Sequence, residues 1–354
     1  MKKTLIAFGA ALACMGAAHA QSNVQLTGLI DTFVGSMKAP GGERTSKLDA
    51  GGMTTSYWGV SGTEDLGNGL KAGFALESFF RGDEGAPGRF GTDNFFARNA
   101  HVSLSGGFGT LKLGRSMAPN FLPTILFNPL GDSFVVSPLV LHANMHWGTV
   151  PGVNNAFTTY RTTAADTGWS NQITYTTPNF NGLSANLHYQ FGEQAGDSGK
   201  RNVGANVLFF KGPLALTAFY ESADISNPSP SLLPYSKDNW MVGGSYNFGP
   251  VKFFATYGES ETKDTTALVY EAETISLGLD IPVSKSGAFK VAAAQTKVEP
   301  GWVGDLKRST ASVGYDHFLS KRTDAYAAVM YDKLKANSSS ESGTSVAVGV
   351  RHRF

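Results

Sequence analysis

Along most of the chain, apolar and polar residues alternate with a period of two, the signature of strands with one buried and one differently solvated face. Val24, Leu26, Ile30 and Val34 alternate with Gln25, Thr27, Asp31 and Phe33. The beat returns at Leu70–Phe79, Leu183–Phe191, Leu214–Tyr220, Val251–Tyr257, Ala311–Phe318 and Thr344–Phe354. Each segment is about ten residues long, the length a tilted strand needs to cross a bilayer. Short turns (Asp65–Gly69, Gly106–Gly109, Pro178–Gly182, Lys211–Pro213, Gly249–Pro250, Pro282–Gly287, Leu319–Arg322) alternate with longer polar loops. The loops are Met37–Met53, Phe80–Asp93, Glu193–Arg201, Ala223–Asp238, Lys263–Tyr270, Val298–Arg308 and Lys333–Gly343. About sixteen segments result, an even number, as a closed single-chain barrel with short turns on one rim requires. An open sheet facing lipid is excluded, because its edge groups would find no hydrogen-bond partners. The pattern predicts an all-β protein, an antiparallel transmembrane β-barrel.

One stretch breaks the rhythm. From Ser116 to Gly168 no alternating segment occurs, and the composition turns to Pro, Asn, Gly and aromatics. A loop longer than about 12–15 residues inside a compact domain usually has a function. Its apolar residues, among them Phe121, Leu122, Ile125, Leu126, Phe127, Phe134, Val136, Leu139 and Val140, are too many for a solvated loop. The expectation is a segment folded back into a hollow whose wall the other strands supply.

The N-terminus indicates export. Lys2 and Lys3 precede an apolar run from Thr4 to Ala18, and Ala18-His19-Ala20 supplies small residues at a cleavage point. This reads as a secretory signal peptide over residues 1–20, too short to span a membrane, followed by one barrel domain over residues 21–354. Cys14 is the sole cysteine and would leave with the signal, so neither a disulfide framework nor a thiolate metal site is expected. Loss of Lys2 and Lys3 leaves 27 basic against 28 acidic residues, net −1, and no basic surface that would imply a nucleic-acid partner. Aromatics gather near segment ends: Phe180, Phe191, Phe209, Phe210, Tyr246, Phe248, Tyr257, Tyr315, Phe318, Tyr331 and Phe354. Such rings suit the headgroup level and would form two girdles.

These segments resemble those of a known family. "VQLTGLIDTFVG" at Val24–Gly35, "WGVSGTEDLGNGLKAGFALES" at Trp58–Ser78 and "GGFGTLKLGR" at Gly106–Arg115 are similar to strands of Gram-negative general-diffusion outer-membrane porins of the β-proteobacterial type. "YTTPNFNGLSANLHY" at Tyr175–Tyr189 and the closing "VAVGVRHRF", ending in Phe354, are similar as well. The resemblance covers essentially the whole chain after the signal. It implies a 16-stranded barrel, normally a homotrimer, with the third external loop folded inward and a terminal Phe used in assembly. It also implies a multi-pass protein of the cell outer membrane, in contact with its lipid and lipopolysaccharide, that passes small solutes and ions without a cofactor. That loop coincides with the anomalous stretch found from composition.

Strand parity then suggests the pore lining. On the first strand Leu26 and Ile30 would face lipid, leaving Leu29 and Asp31 toward the lumen; on the third, Lys71 and Glu77 point inward. A charge on the lipid face near the midplane costs ~2–4 kcal/mol, which favours the inward choice. Where the resemblance implies basic residues on the first, second and sixth strands, this chain has Leu29, Tyr57, Ser61 and Thr174. Arg98 and Arg115 remain at matching positions, and "NPLGDS" at Asn128–Ser133 leaves Asp132 as the acid of the loop. Arg98 shares parity with Ala100, Val102 and Leu104, but resemblance and charge penalty place it in the lumen. The resulting expectation is a constriction bounded by Arg98, Arg115 and Asp132, with Leu29, Asp31, Tyr57, Ser61, Glu77 and Thr174 along the wall. Selectivity at a constriction comes from like charges at close range, so this field is weak. The apolar loop suggests a bias toward small uncharged or aromatic solutes. The competing reading is that its apolar residues only pack on the wall and leave an ordinary open pore.

Catalytic chemistry finds little support. His142 and His146 are four apart, but Ala143 stands where a zinc hydrolase carries its Glu, and no third ligand is evident. No GxSxG elbow accompanies the serines, and "GAPGRFG" at Gly85–Gly91 lacks the strand–helix context of a phosphate loop. A barrel enzyme acting on lipid, or a structural or adhesin barrel, is the alternative, and neither would need an internal loop.

Overall fold

A computed structural model of the chain describes residues 23–91, 93–143, 168–193, 195, 201–223, 236–263, 268–299, 306–336 and 339–354. The leader proposed for residues 1–20 lies outside them, as does 144–167 of the anomalous stretch. All strands belong to one antiparallel sheet that closes on itself. They are β1 (Asn23–Met37), β2 (in two pieces, Thr45–Ala50 and Tyr57–Gly67), β3 (Leu70–Arg81), β4 (Asn99–Gly106), β5 (Gly109–Met117), β6 (Gly168–Thr176), β7 (Leu183–Gln190) and β8 (Asn202–Lys211). The second half holds β9 (Leu214–Ala223), β10 (Ser236–Asn247), β11 (Lys252–Lys263), β12 (Leu268–Pro282), β13 (Gly287–Glu299), β14 (Leu306–Phe318), β15 (Thr323–Ala336) and β16 (Ser339–Arg353). A two-residue stretch, Ala86–Pro87, adds a small bridge to the end of β3. The barrel therefore has sixteen strands, the two pieces of β2 pairing in turn along β1. Closure is made by β1 against β16, with Leu29 opposite Arg353 and Ser36 opposite Val346. Beyond that register Phe354 exchanges both backbone hydrogen bonds with Gly28, at 3.0 and 3.1 Å, and lays its ring over that glycine.

Outward residues are apolar and exposed: Val24, Leu26, Ile30 and Val34 on β1, Ile275 and Leu277 on β12, Val346, Val348 and Val350 on β16. A soluble protein could not tolerate so many; a bilayer requires them, because every backbone group is already satisfied by a neighbouring strand. The strands run past the expected segments on the long-loop rim. Residues read from the pattern as loop, such as Lys333–Ala336 and Leu306–Arg308, continue strands, and Thr45–Ala50 adds a strand piece inside the expected Met37–Met53 loop. Beyond the lipid both faces meet water, so polar residues sit in a strand without apolar alternation.

Segment 118–143 crosses to the inner side. It carries two short helices, α1 (Phe121–Leu126) and α2 (Pro138–Ala143), where the sequence pattern gave no regular element. Proline at the first position of α2 removes no helical hydrogen bond. Pro129 seats over Gly278, and Leu130 and Val136 pack with Phe33, Met53, Ala292, Tyr326, Ala328, Met330 and Ala347. Leu139 meets Phe219 and Met241, and Phe127 meets Leu208 and Ala215. Small wall residues leave the room. Each such burial contributes about 1.5–3 kcal/mol, enough together to hold the segment on the wall. Phe210, expected in a lipid girdle, instead shares the inner face of Leu208, its ring centroid 6.1 Å from that of Phe127.

Candidate functional site

The segment is fixed from within by Asn128. Its side-chain amide donates to the carbonyls of Thr124 (2.8 Å) and Gly131 (2.9 Å), and its oxygen accepts from Leu130 N and Ser137 Oγ. Gly131, at φ +58°, supplies the left-handed turn. Polar contacts then tie the segment to the wall. Asn206 donates to the Pro119 carbonyl at 2.8 Å, Asn120 to Glu221 Oε1 at 2.9 Å, and Ser133 Oγ to the Gly52 carbonyl at 2.7 Å.

His142 makes the tightest of these attachments. Its Nδ1 lies 2.8 Å from Thr296 Oγ1 and its Nε2 2.7 Å from Thr310 Oγ1, with the ring fully buried. Thr310 gives its own hydrogen to Asp332 (2.7 Å), whose other partner is the Arg308 guanidinium (2.7 Å). Thr310 must therefore accept, so Nε2 carries the proton, and the ring, kept neutral by burial, accepts from Thr296 at Nδ1. Burial pushes the imidazole well below its ordinary pKa, and Arg308 pushes the same way. This histidine is engaged on both nitrogens by threonines, and among the described residues no cluster of three potential metal ligands occurs. His146 lies outside the described residues.

The residues expected at the constriction occupy different positions. Arg98 sits in a bend before β4, so strand parity does not bind it. Its guanidinium lies over the Tyr57 ring, 4.0 Å from the centroid, and pairs with Glu77, an inward residue of β3. Asp132 stands beside Thr54; burial raises its carboxyl above the usual range, opposed by that hydrogen bond and by Arg351 and Arg98. Arg115 shares the parity of Leu111 and Leu113 on β5, beside a register shift, where Nε donates to the Ala97 carbonyl at 2.5 Å and Nη1 to Ser170 Oγ at 2.9 Å. It thus anchors the segment that delivers Arg98. Tyr57 and Ser61 are half-buried on β2.

Asp31 faces inward as parity requires, but it lines nothing: it is completely buried. It accepts from the amides of Gly52, Met53 and Thr54 and from Tyr326 Oη, shaping the break in β2. Leu29 and Thr174 are likewise buried, Thr174 against Ser116 Oγ at 3.1 Å.

Two wall arginines escaped the sequence reading. Arg351 bonds Asp324 (3.0 Å), Asp316 (3.5 Å) and Thr54 Oγ1 (2.8 Å), and Arg308 bonds Asp332. Parity could have found them, since Asp324 stands directly opposite Arg351 in register. Each of these two guanidinium groups meets a carboxylate from a neighbouring strand.

Beside the helices a cleft opens between segment and wall. Phe121, Ile125, Phe134, Phe219 and Met241 line it with Asn239 and Thr256.

Comparison with known proteins agrees with this architecture. A family model described as Gram-negative porin matches residues 7–337. Outer membrane porin protein 32 of Delftia acidovorans is 34% identical over the full length of both chains. An outer membrane porin protein of Bordetella pertussis is 29% identical, again over both full lengths. The structure of an anion-selective porin from Comamonas acidovorans superposes with a TM-score of 0.77 at 29% identity, covering 94% of this chain and 100% of that one. The chain accordingly belongs to the Gram-negative porin family, β-barrel diffusion channels of the outer membrane.

Proposed function

We propose that this channel passes small hydrophilic solutes and ions through a weakly charged, partly apolar constriction that favours small uncharged or aromatic solutes. The observation that carries the reading is charge compensation: Arg98, Arg308 and Arg351 each face a carboxylate, so little net field is left across the lumen. Arg98 and Asp132 bound the constriction in this reading, and Arg115 acts by holding residues 93–98. The cavity edged by Phe121, Ile125 and Phe134 offers aromatic surface to a passing solute. In this the channel would differ from its anion-selective structural relative.

A second reading rests on a specific observation. Leu130, Val136, Leu139 and Val140 are at most 2% exposed, spent on wall packing, which favours an ordinary open pore for solutes of any kind. Reversal potential in a salt gradient, together with block of conductance by added aromatic solutes, separates the two. A near-zero reversal potential with aromatic block supports the first; a strongly anion-selective conductance untouched by aromatics overturns it. We further read the channel as a homotrimer in contact with lipopolysaccharide, and as a pore without a chemical step. Cross-linking in native membranes tests the trimer, and phospholipid hydrolysis by the purified protein would contradict the last point.

A further inference from the structure

On the outer face, at the long-loop end of three adjacent strands, four lysines stand together. Lys297 on β13 lies directly opposite Lys307 on β14, and Lys307 lies directly opposite Lys335 on β15. Lys333 shares the same outward face next to Lys335, and all four are exposed. Like charges in direct cross-strand register repel and destabilise a sheet, so such a row is retained at a cost unless something anionic covers it. The carboxylates nearest in register are Glu273, opposite Lys297, and Glu299, next on the same face of β13. None of the four lysines forms an ion pair with a described residue.

The height of the row identifies what covers it. Phe289 marks the short-turn end of the same outward face of β13, and Lys297 lies beyond Val291 and Ala293. At ~3.3 Å per residue and ~40° tilt, Phe289 and Lys297 are separated by roughly 20 Å along the membrane normal, and the apolar band is ~25 Å tall. Beneath the lysines the face turns from Val313, Val329 and Tyr331, all exposed, to a polar pair, Gln295 and Ser309. The ammonium groups therefore stand at the headgroup level of the outer leaflet, where phosphates lie above acyl chains.

We infer that Lys297, Lys307, Lys333 and Lys335 form a binding site for the phosphates of lipopolysaccharide, with the lipid A acyl chains lying on the apolar residues below. Lysine suits this role as a mobile point charge that follows a phosphate rather than clamping it. The inference rests on the reading that lipopolysaccharide contacts the barrel, and adds the place of contact.

The test uses the full-length protein purified in detergent and native mass spectrometry with added lipid A, dephosphorylated lipid A or phosphatidylglycerol. Wild type should retain lipid A, and the variant K297Q/K307Q/K333Q/K335Q should retain it roughly tenfold less or worse. Dephosphorylated lipid A should be lost by both proteins. Without lipid the variant should unfold at a higher temperature than wild type, because the repulsion is gone, while its conductance stays that of wild type. Equal retention by variant and wild type would overturn the site while leaving the lipid contact standing. Failure of wild type to hold lipid A would overturn both, and equal retention of phosphatidylglycerol would show a nonspecific charged rim instead.

Discussion

His142 Nε2 donates to Thr310 Oγ1 at 2.7 Å, and Thr310 passes its own hydrogen to Asp332, while burial keeps the imidazole neutral and free to accept from Thr296 at Nδ1. The Thr310 hydroxyl is thereby committed as donor to Asp332 and acceptor from the ring. The inner segment is thereby latched to β13 and β14 by a hydrogen-bond chain that ends on Arg308.

The latch gives a pH dependence whose sign is fixed. The docked imidazole has a depressed pKa, while the undocked one keeps its ordinary value of 6.5. Docking is therefore at full strength above that value and weakens as pH falls through it. Hydrogen-exchange protection at α2, corrected for the intrinsic pH dependence of exchange, should fall on acidification in wild type and lose that dependence in His142→Gln.

Removing one partner of the chain also has a predictable cost. Thr310→Val leaves the His142 N–H and one Asp332 oxygen without their shared partner, worth about 1–3 kcal/mol of local stability. Protease cleavage in segment 118–143 should speed up, with the barrel's own melting little changed.

Asp31 is a structural carboxylate, and its loss should be felt at closure. Asp31→Ala strands the amides of Gly52, Met53 and Thr54 and the Tyr326 hydroxyl, costing at least about 2 kcal/mol. Heat-dependent gel mobility should shift to lower temperature. Single-channel current should change as well, because residues 51–56 also carry Thr54, which holds Asp132 and Arg351.

Selectivity offers an opposed pair of variants. Asp132→Asn should move the reversal potential toward anions, and Arg98→Gln should move it toward cations by freeing Glu77. Because burial raises the Asp132 carboxyl, the wild-type reversal potential should titrate at a higher pH than an ordinary carboxylate would. Asp132→Asn should abolish that titration.

Gly278 tests how the segment is seated. A side chain there would collide with Pro129, so Gly278→Val should cost about 1–3 kcal/mol of docking by overpacking. Current through single channels should become noisy while the barrel still assembles.

Alternation alone determined the barrel, because lipid on one side and water on the other impose a period of two on every crossing strand. Val24 to Val34 shows it, and so do the short turns and the closing run to Phe354. Composition alone singled out the stretch after Ser116, since so many apolar residues cannot remain in water. Only the tertiary structure decided what each inward residue does. Parity aims Asp31, Leu29 and Thr174 at the lumen but cannot tell that neighbours cover them. It also could not place Arg98, which precedes its strand, or reveal that Arg308 and Arg351 are neutralised across strands. Those outcomes depend on register around a closed circle and on where residues 118–143 lie, and both arise from contacts between residues far apart in the chain.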